Sequence, residues 1–153
     1  MYIIIDPAIQ IETEYKADEF ISQKPSGAGF ELAQKLRDEG KKCQLYTFLG
    51  GFNGYKIKDL CKKERIRLKY VRIAEENTTK IKINGQIFPI KIQKISKNDI
   101  KAFYHLLKAK KTKTQNYIFA CSQKKNIPNN FFNDLEEFLK KVFPERKINV
   151  VIN

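Results

Sequence analysis

The chain has 153 residues, 42% of them apolar, and a net charge of +13, which suits one globular domain with a real core and excludes a disordered or fibrous chain. Its opening, MYIIID, lacks the basic stretch of a secretory leader, and no apolar run reaches the length of a membrane span. Cys43, Cys61 and Cys121 are odd in number, widely spaced and outside any CxxC spacing, so reduced thiols in a cytoplasmic protein are the expectation.

YIII (residues 2–5) reads as a short buried strand that stops at Asp6-Pro7, because the residue before proline is driven out of helical geometry. Residues 9–15 alternate, with Ile9, Ile11, Thr13 and Tyr15 on one face, as in a half-covered strand. In KPSGAGFELAQKL (24–36) two glycines stand one residue apart ahead of an amphipathic run. The run predicts a helix over residues 30–39, with Phe30, Ala33, Leu36 and Arg37 on one stripe and Gly40 as its stop. CQLYTFLGG (43–51) is a strand ending in a glycine turn, and GYKIKDLCKKE (54–64) is a helix with Ile57, Leu60 and Cys61 inward. IRLKYVRI (66–73) alternates as a strand.

TTKIKINGQIFPIKI (78–92) is the clearest hairpin, because Asn84-Gly85 suits a two-residue type I′ turn. Ile81 and Ile83 share one face of its first strand while Lys80 and Lys82 take the other, and Pro89 confines the second strand to an edge or a bulge. SKNDIKAFYHLLK (96–108) is a helix capped by Ser96, with Asp99 placed for a capping box. NYIFAC (116–121) is a strand, PNNFFNDLEEFLKKVF (128–143) a helix and INVVIN (148–153) a last strand. Strands alternating with helices imply parallel βα units with an inserted antiparallel hairpin, and no repeat or linker divides residues 1–153.

The chemistry-bearing motifs are few. GGFNGYK lacks the spacing of a Walker loop, and no GxGxxG occurs. His105 is the single histidine and lies inside a basic, amphipathic helix, where it reads as a surface or boundary residue, so no metal ligand set is expected. The densest basic cluster, KAKKTKTQ (108–115), falls between periodic segments without an aromatic ladder beside it. Nucleic acid is therefore not expected as a partner despite the charge. A glycine pair before a helix can bare backbone N–H groups to a phosphate. Here no lysine accompanies the pair, and Glu31 sits in the first turn.

In order and spacing these segments resemble the N-terminal half of the ribokinase-like sugar kinases, within them the phosphofructokinase B family that includes 1-phosphofructokinase and tagatose-6-phosphate kinase. DPAIQIETEY (6–15) is similar to the family's opening NPAxD segment, which runs into its lid strand; SGAGFELA (26–33) is similar to GGKGxNxA; FLGGFNGYKIKDL (48–60) is similar to FLGGFNGDFIKEL. Six residues separate Ala33 from Gly40 and nine separate Gly40 from Gly50, the spacing of the family's first signature. ISKNDIKAFYHLL and CSQKKNIPNNFFNDL fall where a helix and an SGSLPPGVPxDFY segment belong. The resemblance implies a three-layer α/β/α fold, truncated to its N-terminal half, with a mostly parallel sheet and a β lid built from residues 9–15 and 79–92.

The resemblance also implies that Gly27, Gly29, Gly50, Gly51, Asn53 and Gly54 shape a residual sugar cleft, although turn geometry and close helix–strand packing account for such glycines as well. Other family positions are changed. Gln10 replaces the aspartate that holds sugar hydroxyls, and Asp6 replaces the leading asparagine. Ala28 replaces the glycine-loop lysine and Glu31 the asparagine after it, while Ser26 stands for the first glycine and Thr78 for an arginine before the lid strand. Losing a lysine that faces a phosphate removes a charge-assisted hydrogen bond of about 1.5–3 kcal/mol. A glutamate in that turn suits the helix by about 0.3–1 kcal/mol but repels the anion.

The family's catalytic aspartate, in a GAGD motif, and most of its ATP pocket belong to the C-terminal half, and no GAGD occurs here. The expectation is a degenerate homologue without kinase activity, catalytic residues or cofactor of its own. It would dimerise through the lid strands or accept a polypeptide that completes the sheet. The alternative is an ATP-dependent fructose-phosphate kinase active only with a separate C-terminal half, which would bring ATP and Mg; Lys80 or Lys82 would then replace the lost positive charge.

Overall fold

The computed structural model describes residues 1–89, 93–109, 116–121 and 127–150. Chain order is β1 (Tyr2–Ile5), β2 (Gln10–Lys16), β3 (Glu19–Ser26), α1 (Ala28–Asp38), β4 (Cys43–Gly50), α2 (Gly51–Lys63), β5 (Leu68–Ile73), β6 (Thr79–Ile83), β7 (Gln86–Pro89), α3 (Lys97–Lys108), β8 (Asn116–Phe119), α4 (Phe131–Val142) and β9 (Lys147–Val150). Five strands form an all-parallel sheet in the order β5-β4-β1-β8-β9.

That sheet is buried on both faces, which is why β1 is an unbroken run of isoleucine rather than an alternating one. Ile3 and Ile5 look into one layer, with Phe103 and Leu107 of α3 and Phe131, Leu135 and Leu139 of α4. Ile4 looks into the other, with Phe30, Ala33 and Leu36 of α1 and Ile57 and Cys61 of α2. The α3–α4 layer is built on aromatic rings: Phe48 stacks on Phe103 at 4.8 Å and Tyr104 on Phe138 at 4.5 Å. Each such ring pair adds about 0.5–1.5 kcal/mol beyond the area it buries. Arg37 departs from the stripe expected of it; at the end of α1 it pairs with Asp38 and with Glu64 at the end of α2.

A second sheet, β3-β2-β6-β7, stands apart as the lid. Its β6–β7 turn has Asn84 at φ 49° and Gly85 at φ 82°, the left-handed pair a type I′ turn requires. Asn84 Oδ1 also accepts from Ala17 N at 2.8 Å, tying this turn to the neighbouring one. The lid holds a strand that sequence reading overlooks: β3, paired antiparallel with β2 from Ser26 opposite Gln10 to Glu19 opposite Lys16. Pro25 argues against a central strand, but β3 is an edge strand, where a missing N–H is tolerated. The hairpin residues 90–92, the cluster at 110–115, residues 122–126 of the CSQKKN segment and the end of the last strand at 151–153 lie outside the described residues.

Ser96 and Asp99 form the expected capping box, with Asp99 N donating to Ser96 Oγ at 3.1 Å and Ser96 N to Asp99 Oδ2 at 2.9 Å. His105 is exposed on α3. Among the described residues all three cysteines are free, and no helix is long and apolar enough to cross a membrane.

Candidate functional site

In a parallel sheet the carboxyl ends of the strands and the helix N-termini that follow them collect ligands. Here the ends of β1 and β4 carry Asp6 and Gly50, beside the starts of α1 and α2. Asp6 is fully buried. Its Oδ1 accepts from Ala8 N at 3.1 Å and its Oδ2 from Gly29 N at 2.8 Å, so a carboxylate from β1 caps the second residue of α1. Burial pushes its pKa up to about 6, against the two N–H bonds, which lower it; the Glu31 carboxylate pushes it further up. At neutral pH Asp6 is an anion seated where an external anion would approach α1.

The glycine pair owes its identity to that seat. A Cβ on Gly29 would lie 2.4 Å from Asp6 Cβ, and one on Gly27, whose φ is 149°, would lie 2.8 Å from Asp6 Oδ2. Ala28 lies between them, half-buried as the first residue of α1, and Glu31 is exposed in its first turn.

The second glycine turn is held from the other side. A Cβ on Gly50 would meet the carbonyl oxygen of Glu75 at 1.7 Å, and one on Gly51, whose φ is 62°, would meet the Glu76 carboxyl at 2.7 Å. Glu76 Oε1 accepts from Asn53 N at 2.8 Å, so α2 is also capped by a carboxylate from elsewhere in the chain. Asn53 Nδ2 donates to Asn77 O at 3.0 Å and to Thr79 Oγ1 at 2.7 Å, which binds the α2 start to the lid. Gly54 would press on Asn77 Oδ1 and Arg72 if it carried a Cβ.

Asn77 is the hub. Its Oδ1 accepts from Gly50 N at 2.8 Å, and its Nδ2 donates to Phe48 O at 3.0 Å and Ile9 O at 3.2 Å. Gln93, also buried, donates through Nε2 to Glu75 O and through its backbone to Thr78 Oγ1. Thr78 is thus buried and bonded within the scaffold, and its carbonyl takes the Ile11 N–H. Gln10 is buried at the start of β2, opposite Ser26.

Between α1 and the lid lies a cleft of about 400 Å³, lined by Ser26, Gly27, Ala28, Glu31, Leu32, Lys35 and Lys80. Strand register puts Gln10, Glu12, Lys24, Ser26, Lys80 and Lys82 on one face of the lid, together with Ile87, and Ile11, Tyr15, Phe20, Ile81, Ile83 and Phe88 on the other, together with Thr13, Gln23 and Gln86. Lys80 reaches the cleft wall, so the lid does bring a cation to the glycine loop; Lys82 is not part of that wall. The structure divides the six glycine-turn residues between two turns, and only Gly27 lines the cleft.

Sequence reading missed Asp6 as a cap, and Glu76, Asn77 and Gln93 altogether. Only Asp6 left a signal, as a departure from the family's asparagine.

No family model and no curated protein matches this chain. Solved structures do. A Staphylococcus aureus protein provisionally assigned as a phosphofructokinase matches with a TM-score of 0.77 and 17% identity over 99% of this chain and 52% of that one. Phosphofructokinase-2 from Escherichia coli in complex with fructose-6-phosphate matches at 0.75 and 10% identity, over 98% and 53%. A Thermotoga maritima protein provisionally assigned as a 1-phosphofructokinase matches at 0.72 and 15%, over 99% and 53%. The chain has the ribokinase-like fold of the phosphofructokinase-type sugar kinases and spans about half the length of the solved structures it matches.

Proposed function

We propose that this chain is a sugar-kinase homologue that no longer binds a phosphosugar or transfers phosphate by itself, and that its role is self-association or pairing with another polypeptide. The observation that carries this reading is the occupation of both glycine-turn helix starts by the chain's own carboxylates, Asp6 on Gly29 N and Glu76 on Asn53 N. An incoming phosphate at α1 would meet the anions Asp6 and Glu31 in place of a lysine. Phosphoryl transfer also needs a positioned base and a clamp on the transferring group. The sequence has no GAGD, and among the described residues no group of three or more His, Cys, Asp or Glu is placed to hold a metal ion. The acidic side chains Asp6, Glu31 and Glu76 at the two helix starts do not suit the anionic phosphates of ATP with Mg. The direct test is ATP-dependent phosphorylation of fructose 1-phosphate or fructose 6-phosphate by the isolated chain; turnover overturns the proposal.

The apolar face of the lid supports the association. Phe20, Ile83 and Phe88 are 60%, 38% and 43% exposed, and Tyr15 meets Phe20 edge-on at 6.1 Å. Single exposed apolar residues are ordinary, but several on one sheet face suit an interface. A second copy is the occupant we assign. Light scattering across a dilution series is expected to give a dimer, with Phe20→Ser/Phe88→Ser shifting it to monomer; a wild-type chain monomeric at all concentrations rules the interface out.

The alternative enzymatic reading has one observation in its favour, the placement of Lys35 and Lys80 in the cleft beside Gly27. It requires a separate polypeptide bringing the base and the site for ATP and Mg. Turnover that appears only on adding such a polypeptide, and falls with Lys80→Ala, is its signature.

A further inference from the structure

A second surface, made of different residues, carries its own ligand chemistry. On α2 Tyr55, Lys58 and Lys62 stand at i, i+3 and i+7, one stripe of the helix, and Arg65 follows just past its end. The stripe runs beside β5, one of the two edge strands of the parallel sheet. Leu68 and Tyr70 of β5 pack toward the α1–α2 layer, and strand alternation sends Arg72 to the same side. Between helix and strand lies a cleft of about 430 Å³ whose wall includes Lys58, Lys62, Arg65, Arg67 and Tyr70. Aromatic rings order the cations: Lys58 lies 5.5 Å over Tyr70, and Arg72 lies 3.9 Å over Tyr55 and 6.0 Å from Tyr70. Lys56 lies 4.8 Å over Phe52. Phe52 and Tyr55 nevertheless keep 67% and 57% of their surface exposed. Of the carboxylates in this stretch, Glu64 is already taken by Arg37 at 3.1 Å, which leaves Asp59 against five cleft and strand cations.

From this arrangement we infer that the α2–β5 groove binds single-stranded nucleic acid, its phosphates on Lys58, Lys62, Arg65, Arg67 and Arg72 and its bases on Tyr55 and Phe52. Cations alone would serve any polyanion. Exposed rings interleaved with them favour unpaired bases, which offer flat faces that a duplex keeps stacked and an acidic peptide lacks. Bulk charge gave no reason at the level of sequence to choose a surface, because residues 56–72 have no more regular pattern than the rest; the fold supplies it by laying the helix stripe against the strand.

The test is fluorescence anisotropy of a labelled 12-nucleotide single strand with the full chain. We expect saturable binding at 50 mM salt that weakens as salt rises, with a log–log slope of about −3.5 if five phosphates are engaged at about −0.7 each. Lys62→Glu/Arg67→Glu is expected to weaken binding at least tenfold and flatten the slope. Tyr55→Ala is expected to weaken it about 5- to 100-fold and leave the slope unchanged, which a diffuse positive surface cannot do. Circular dichroism and thermal unfolding verify that each variant is folded, and the exposed side chains changed here leave the core intact. The inference is overturned by absence of binding, by equal affinity for polyglutamate, by binding to phosphatidylserine vesicles in preference to the strand, or by a full loss on changing Lys110, Lys111 and Lys113 to Gln while Tyr55→Ala has no effect.

Discussion

The two glycine turns, at residues 26–29 and 50–54, do the same job with different materials. Each delivers a strand end into a helix whose first N–H groups are met by a carboxylate from elsewhere in the chain. In the first turn the glycines are pressed by a side chain, Asp6; in the second, Gly50 is pressed by backbone, the carbonyl of Glu75. A side chain can be shortened by mutation and a backbone cannot. The first turn therefore tolerates repair and the second does not, so the same residue type at two similar motifs carries different constraints.

The largest effect follows at Gly50. A Cβ 1.7 Å from a carbonyl oxygen forces the β5–β6 connection away, and that connection is stitched down by Asn77 and Gln93. Gly50→Ala is expected to cost more than about 4 kcal/mol in urea unfolding or to leave no soluble protein. No substitution of the Glu75 side chain should restore it. A Gly50→Ala chain with the wild-type midpoint would break the comparison at once.

Asp6 gives the next effect through pH. Its pKa is raised by burial from 3.8 to about 6 in the folded chain. The folded state therefore holds the proton more tightly than the unfolded state, so this group's contribution to stability is greatest below pH 4, declines as pH rises from about 4 to about 6, and is level above that. The decline is about 3 kcal/mol at 1.36 kcal/mol per pH unit. Subtracting the stability–pH curve of Asp6→Asn from that of wild type isolates it, since the remaining carboxylates cancel. A difference curve flat between pH 4 and 6 would show that the carboxyl is not desolvated as its burial implies.

Much of the scaffold was legible because its signals are local. The β1 isoleucines, the Ser96–Asp99 capping box and the Asn84-Gly85 turn each depend on a few adjacent residues. The strand β3 was not, because Pro25 argues against a strand unless its edge position is already known. The site was legible only in outline. Asn77 bonds Ile9, 68 positions away, and Phe48, 29 away, and nothing in AEENTTK distinguishes a hub from a polar loop. The glycines announced tight packing, but their partners, Asp6 and Glu75, are set by the approach of distant strands.

Gly29 offers the finer test. Gly29→Ala should be strongly destabilising in the wild-type chain, because its Cβ would meet Asp6 Cβ at 2.4 Å. In an Asp6→Gly background that obstacle is gone, and the double variant is expected to be more stable than the sum of the single losses by about 1–3 kcal/mol. A double-mutant cycle by denaturant unfolding measures this coupling. Additive losses would mean that the turn, like the one at Gly50, is held by backbone.

The smallest effect lies at the other ends of the same two helices. Both end in a Schellman motif: Gly40 N bonds Arg37 O and Lys41 N bonds Leu36 O after α1, while Arg65 N bonds Lys62 O and Ile66 N bonds Cys61 O after α2. The left-handed residue is Gly40 at φ 72° in one and Arg65 at φ 57° in the other. A Cβ on Gly40 would meet nothing within 4 Å, so Gly40→Ala isolates the backbone cost, about 1 kcal/mol. Arg65 already bears that cost, and Arg65→Gly is expected to raise stability by up to about 1 kcal/mol. The same substitution removes a cation from the α2–β5 groove, so it should stabilise the chain while weakening its hold on a single strand. Opposite signs in one variant separate folding from binding. If Arg65→Gly instead lowers stability, the guanidinium contributes packing that outweighs the strain of its backbone, and Arg65 belongs to the fold before it belongs to the groove.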